Sequence, residues 1–271
     1  MEHASLHDRS VVIIGGTTGL GLSAAKACVR AGANLVVCGR NPDSAAAAEQ
    51  ALGSAARVLV GDASDPGTSA AAIRLALDAF GRFDALYHVA GGSGRRAGDG
   101  PLDEVTDDGV EATLRQNLTS LIYSNRAAVR ALLERGTGGS VLNMGSVLGW
   151  SPSPKFFATH IYAAAKSAVI GFTKSCAAYY APQDIRFNVV APALVDTPMA
   201  VRAVGDDAVQ RFIRTKQPLD GGRIGRPEDL DAAVLFFLSD ASRYVTGQVL
   251  AVDGGWTVSD GSAGEGAASD G

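Results

Sequence analysis

The feature that most restricts this chain is a steady alternation of short, almost wholly apolar runs with longer helical patterns. The runs are "VVIIG" (11–15), "NLVVCG" (34–39), "RVLVGD" (57–62), "FDALYHVAG" (83–91), "SVLNMGS" (140–146), "IRFNVVAPA" (185–193) and "QVLAVDGG" (248–255). A strand apolar on both of its alternating faces is covered on both sides, which is the pattern of a parallel sheet. Helical patterns fill the intervals, after the first glycine turn and at 43–52, 66–81, 103–135, 157–181 and up to about 240. Parallel neighbours need crossover connections, and these are right-handed. The expectation is an α/β fold, doubly wound, with a predominantly parallel seven-stranded sheet and helices on both faces. One domain is expected over 9–256, with a short extension at 1–8 and a lid at about 194–222. The last stretch, 257–271, is rich in Gly, Ala and Ser and reads as a flexible tail.

In an open α/β sheet a ligand binds beyond the carboxyl ends of the strands. The first strand-to-helix turn, "IGGTTGLG" (14–21), carries Gly15, Gly19 and Gly21 in a G-x-x-x-G-x-G spacing. Glycines there let the backbone approach a pyrophosphate, and the helix start offers it free N–H groups. The fold is thus Rossmann-like, and the expected cofactor cradle includes Thr17, Thr18 and Leu20 of the same turn. At the end of the second strand a carboxylate would bind the ribose hydroxyls of NAD, but the chain has Gly39 followed by Arg40. An arginine with no competing carboxylate suits the 2′-phosphate of NADP. NADP(H) is therefore favoured, with NAD(H) as the alternative. Asp62 is placed either to meet the adenine ring or to cap the helix that follows it.

Composition narrows the functional classes. Net charge is −4, which argues against nucleic-acid or anionic-membrane binding. The three cysteines, Cys28, Cys38 and Cys176, are widely spaced, and the four histidines show no metal-ligand spacing, so no metal is expected. No apolar run approaches the length of a bilayer span, and a cytoplasmic location is expected.

Tyr162 and Lys166 in "YAAAK" are four residues apart and share a helix face. A nearby ammonium stabilises a phenolate, which makes such a pair a candidate proton carrier. Together with Asn117 in "QNLTS", Ser146 in "MGSVLG", and the segments "APALVDTPM", "GRPEDL" and "VTGQVLAVDGGW", these motifs come in one characteristic order. Over about 9–256 the chain resembles the short-chain dehydrogenase/reductase family in its single-domain form. The resemblance implies Tyr162 as general acid or base in carbonyl–alcohol interconversion, with Lys166 holding the nicotinamide ribose and lowering the tyrosine's pKa. It implies Ser146 as a hydrogen-bond partner of the substrate oxygen and Asn117 as holder of a water that links Lys166 to solvent. Val195 and Thr197 match positions that hold the cofactor's carboxamide and phosphates, while Ala63, Ala90, Gly91 and Pro192 complete the cradle at strand ends. A homotetramer or homodimer acting on a small carbonyl or alcohol is implied. The alternative is a catalytically silent nucleotide-binding regulator on the same fold.

Four departures from the family pattern stand out. Ile14 replaces the usual Thr before the first glycine, and His88-Val89 replaces an Asn pair whose amides tie neighbouring strands. Ala193 follows Pro192 in place of Gly, and Ser146 lies sixteen residues before Tyr162, a few more than usual. The added length falls in 149–161, where Trp150, Phe156 and Phe157 are candidates for an apolar substrate wall or for packing under the loop. Ser93 is a further substrate-side candidate, and Arg95 and Arg96 lie near the expected cavity mouth.

Overall fold

The computed structural model describes residues 5–262. Each apolar run forms a strand: β1 (Ser10–Ile14), β2 (Asn34–Gly39), β3 (Ala56–Val60), β4 (Ala85–His88), β5 (Gly139–Met144), β6 (Ile185–Pro192) and β7 (Val249–Val252). They make one seven-stranded sheet in the order β3-β2-β1-β4-β5-β6-β7, parallel at every pairing. The order reverses between β1 and β4, which opens a crevice above their carboxyl ends.

The helices cover both faces: α1 (Gly19–Arg30), α2 (Pro42–Leu52), α3 (Thr68–Phe80), α4 (Asp107–Leu114), α5 (Ser120–Arg135), α6 (His160–Tyr180), α7 (Val201–Val204), α8 (Asp207–Lys216) and α9 (Asp231–Leu238). The alternation along β1 sends Val11 and Ile13 into one core layer, with α1 and α9. Val12 and Ile14 enter the other, with α3 and α5. Every residue of β1 is buried, as a strand covered on both sides must be.

Three expectations shift. The single helix expected over 103–135 is α4 and α5 joined by a π turn at Arg115–Thr119. Leu6, assigned to the extension, is fully buried and its N–H donates to the Ala31 carbonyl, so this part of the extension belongs to the core. Residues 257–259, assigned to the tail, are held against the body of the protein. Ser259 hydrogen-bonds the Thr215 carbonyl at 2.7 Å and Thr257 bonds Asp253, which docks this segment on α8. Of the expected extension and tail, residues 1–4 and 263–271 lie outside the described residues.

Candidate active site

The turn after β1 is held by Gly15 and Gly16, whose N–H groups both donate to the Cys38 carbonyl, at 2.9 and 3.0 Å. Gly15 has φ +94°, and a Cβ there would lie 2.6 Å from the Ala90 nitrogen. A Cβ at Gly21 would lie 2.1 Å from the Gly15 carbonyl oxygen, so the turn closes only with glycine. At the start of α1 the Thr18 side chain makes no capping bond, and the first turn has no acidic residue. The helix therefore presents unsatisfied N–H groups and a partial positive charge to the crevice, which fits a pyrophosphate.

Gly15, Thr17, Thr18, Gly19, Leu20, Gly21, Arg40, Asp62, Ala63, Ala90 and Gly91 all line this cavity. Thr17 explains why the second strand ends without a carboxylate, since a Cβ at Gly39 would sit 2.1 Å from its hydroxyl oxygen. Arg40 is not free of carboxylates. Asp62 approaches it at 3.7 Å, a loose ion pair with both side chains largely exposed and of small energetic weight.

A second cavity adjoins the first through shared wall residues, among them Leu20, Gly91 and Thr197. It opens to solvent and brings together Asn117, Ser146, Tyr162 and Lys166, drawn from three separate parts of the chain. Pro192, Val195 and Thr197 line it from the cofactor side. Ser146 leaves the end of β5 and accepts a bond from the Leu148 N–H at 3.2 Å. The Lys166 ammonium donates to the Met144 carbonyl at 2.9 Å and lies 5.5 Å from the Tyr162 ring centre.

Burial raises the Tyr162 phenol above its ordinary pKa, and the Ser146 side chain works in the opposite direction. Burial also pulls Lys166 down to about 8. In the protein alone desolvation outweighs the Ser146 bond, and Lys166 is not among the causes that shift Tyr162.

Asn117 sits in the π turn, fully buried. Its Oδ1 accepts from the Gly92 N–H at 3.1 Å, and its Nδ2 donates to the carbonyls of Gly92 and Thr113, both at 2.9 Å. Both Nδ2 donors are therefore spent on backbone, while Oδ1 keeps a second lone pair. The side chain pins the Gly91–Gly92 segment beside Lys166. His88 occupies a related structural post. Its Nδ1 meets the Ser124 hydroxyl at 2.8 Å and its Nε2 the Ser120 hydroxyl at 3.4 Å. It therefore ties β4 to α5 and not to a neighbouring strand. Burial, with the Lys166 charge adding to it, drives the imidazole down to about 3, so the ring is neutral.

On the substrate side Ser93 and Phe157 line the cavity, while Trp150 and Phe156 do not. Trp150 is 42% exposed, because the loop after β5 turns it outward. Phe156 packs on Phe212 of α8, with ring centres 5.1 Å apart. Of the two arginines after β4, Arg95 lines the cavity and Arg96 does not.

Four residues escape a reading of the sequence. Arg202 and Met199 line the cavity from the segment after β6, and Trp256 lines it from beyond β7. Asp99, 4% exposed, accepts from the N–H groups of Ile161 at 3.1 Å and Tyr162 at 2.8 Å. It caps the helix that carries the tyrosine, where the local N-cap residue Thr159 makes no side-chain bond. No local signal marks Asp99, since it lies some sixty residues upstream of its helix.

A parallel sheet with a glycine turn and an adjoining polar cleft is the frame on which nicotinamide-nucleotide oxidoreductases are built. Residues 15–257 match the family model described as "Enoyl-(Acyl carrier protein) reductase". A 2,5-dichloro-2,5-cyclohexadiene-1,4-diol dehydrogenase of Sphingobium indicum is 32% identical over 94% of this chain and 99% of its own. A 2-keto-3-deoxy-L-fuconate dehydrogenase of Xanthomonas campestris is 33% identical over 93% of this chain and 81% of its own. The solved structure of a short-chain type dehydrogenase/reductase from Mycobacterium ulcerans superposes with a TM-score of 0.86 at 31% identity, over 94% of this chain and 92% of that one. The chain belongs to the short-chain dehydrogenase/reductase family and is an NAD(P)-dependent oxidoreductase. Among the described residues, no helix is long and apolar enough to cross a membrane.

Proposed function

We propose that the protein interconverts a ketone and a secondary alcohol with NADP(H), Tyr162 exchanging the proton. The observation that carries this reading is the meeting of Ser146, Tyr162, Lys166 and Asn117 on one cavity wall, adjoining the glycine-turn cradle. When bound, the nicotinamide supplies or accepts the hydride.

The remaining work falls to the protein's own groups. Ser146 and Tyr162 hold the substrate oxygen between two hydroxyls. In the reductive direction the Tyr162 phenol gives its proton to that oxygen as the carbonyl carbon takes the hydride. In the oxidative direction it takes the proton back. A phenol kept protonated by burial is in the state a reductase needs. Lys166, its pKa lowered to about 8 by burial and its ammonium 5.5 Å from the Tyr162 ring, would hold the nicotinamide ribose and stabilise the charge that develops on Tyr162. Asn117 keeps the Gly91–Gly92 wall in register with both. Gly39 and Arg40 support the preference for NADPH, because the end of β2 offers the 2′-phosphate a cation that Asp62 holds only loosely, at 3.7 Å.

The test is Tyr162→Phe, assayed on a panel of ketones and secondary alcohols with both cofactors. Turnover should fall by at least about a thousandfold, with cofactor affinity kept. Full activity in the variant refutes the assignment. Cofactor binding by the wild type without turnover across the panel favours the silent regulator.

A further inference from the structure

Two guanidinium groups of the cavity lining, both on solvent-exposed residues, converge on one backbone oxygen. Arg95, from the segment after β4, donates to the Phe156 carbonyl at 3.2 Å. Arg202, on α7 of the lid, donates to the same oxygen at 3.4 Å. Both line the cavity that holds Ser146 and Tyr162. A single neutral carbonyl is a poor partner for two full positive charges. Each guanidinium has five N–H donors, so most remain unspent. Among the described residues neither arginine has a carboxylate within ion-pair distance; the ion pairs of this chain involve other arginines. Partial desolvation of the exposed Arg95 side chain and the Arg202 charge hold its pKa below the ordinary value, against a smaller pull from Asp99. Around the pair the wall is apolar, with Phe157, Met199 and Trp256 among its side chains.

A cavity of this kind is matched by a molecule with an apolar body and an anionic end. We infer that the substrate is a ketone or secondary alcohol carrying an oxoanion, a carboxylate or a phosphonate-like group, remote from the reacting carbon, and that Arg95 and Arg202 clamp that group. Guanidinium forks bind such oxoanions through charge-assisted, often bidentate hydrogen bonds. The two arginines come from different segments, one after β4 and one on α7. An anion between them would join those segments and relieve the mutual repulsion that the free pair carries. The inference rests on the proposed carbonyl reduction but makes a separate claim about specificity.

The experiment uses straight-chain keto acids with roughly two to six methylenes between ketone and carboxylate, each paired with its neutral methyl ester and with the phosphonate of equal length. For the best-fitting length, kcat/KM for the anion should exceed that for the ester by about tenfold or more, and the ratio should shrink as salt rises. In the double variant Arg95→Gln/Arg202→Gln the ratio should collapse towards about one. The comparison of carboxylate with phosphonate identifies which oxoanion the clamp prefers. Because both rates in each ratio come from the same preparation, partial misfolding of the variant does not mimic the result.

Binding to the cofactor-loaded enzyme, read from the fluorescence of the cavity-lining Trp256 as a change against a Trp256→Phe control, gives the same comparison without turnover. Neutral ketones reduced as well as their acids at every length overturn the inference and leave the proposed reaction standing. Loss of cofactor affinity in the double variant with an unchanged acid-to-ester ratio also overturns it, by assigning the arginines to the nucleotide. An enzyme that neither reduces nor binds any acid more tightly than its ester refutes the clamp whether or not it is a reductase.

Discussion

Asp99 offers the sharpest test of how the fold holds its tyrosine. Its carboxylate accepts two N–H bonds from the first turn of α6, one of them from Tyr162 itself. Replacing a side-chain cap by Ala costs about 0.5–2 kcal/mol in ordinary surroundings. Here the acceptor is charged, and bonds to charged groups contribute about 1.5–3 kcal/mol. At 4% exposure little water can take over. Asp99→Ala should therefore destabilise the protein by about 2–4 kcal/mol, a large part of a typical domain's margin. That corresponds to a fall in Tm of roughly 5–15 °C for a chain of this size. Asp99→Asn keeps one acceptor oxygen and should cost about half as much.

The functional effect should be distinct. With the first turn loosened, the phenol is no longer fixed, and a misplacement near 1 Å costs about a hundredfold. Turnover should fall by about ten- to a hundredfold in Asp99→Ala while the dissociation constant of the cofactor barely moves. Urea unfolding and single-turnover hydride transfer measure the two effects. A variant destabilised as expected yet fully active would show that the cap stabilises the helix without positioning Tyr162. A variant unchanged in both would refute the cap.

His88 should leave a signature in acid. The ring is neutral when folded, with its pKa pulled down to about 3, against about 6.5 when unfolded. Above pH 6.5 both states are neutral and the group contributes no pH dependence. As pH falls from 6.5 towards 3 only the unfolded chain takes the proton, so stability is lost by about 1.4 kcal/mol per pH unit. In denaturant titrations His88→Gln should lose stability more slowly than the wild type between pH 6.5 and 4, and parallel curves would contradict the assignment. Arg40→Ala should raise the dissociation constant of NADPH by at least about tenfold and that of NADH by much less, as measured by cofactor fluorescence. Equal losses would remove the 2′-phosphate role.

Much of this architecture was legible because it is written locally. The two-sided apolar runs identify the strands, and glycine spacing identifies the turn where a Cβ has no room. Tyr162 and Lys166 share a helix face by spacing alone. What escaped reading depends on distant partners. The break in the expected 103–135 helix is a π turn whose purpose, turning Asn117 towards Gly92, involves a loop about twenty-five residues away. Asp99 acts on a helix some sixty residues downstream. Trp150 and Phe156 looked equivalent to Phe157 in sequence, and only the course of the loop separates the one that faces the cavity from the two that do not. Arg95 was visible as a cation near the mouth, but its pairing with Arg202 needed the lid to be folded over. Asp62 beside Arg40 likewise required β2 and β3 to be laid side by side.

The wall shared by the two cavities has a kinetic consequence. Leu20, Gly91, Thr197 and Met199 each face both the nucleotide cradle and the substrate space. A dinucleotide in the cradle would therefore form part of the surface that its co-substrate meets. The carbonyl compound would find a finished chamber only after the nucleotide has entered, and the spent nucleotide would leave last. Such a compulsory sequence of arrivals and departures would make chamber shape a property of the binary complex. Selectivity measured on the bare polypeptide would then understate what the working enzyme can distinguish.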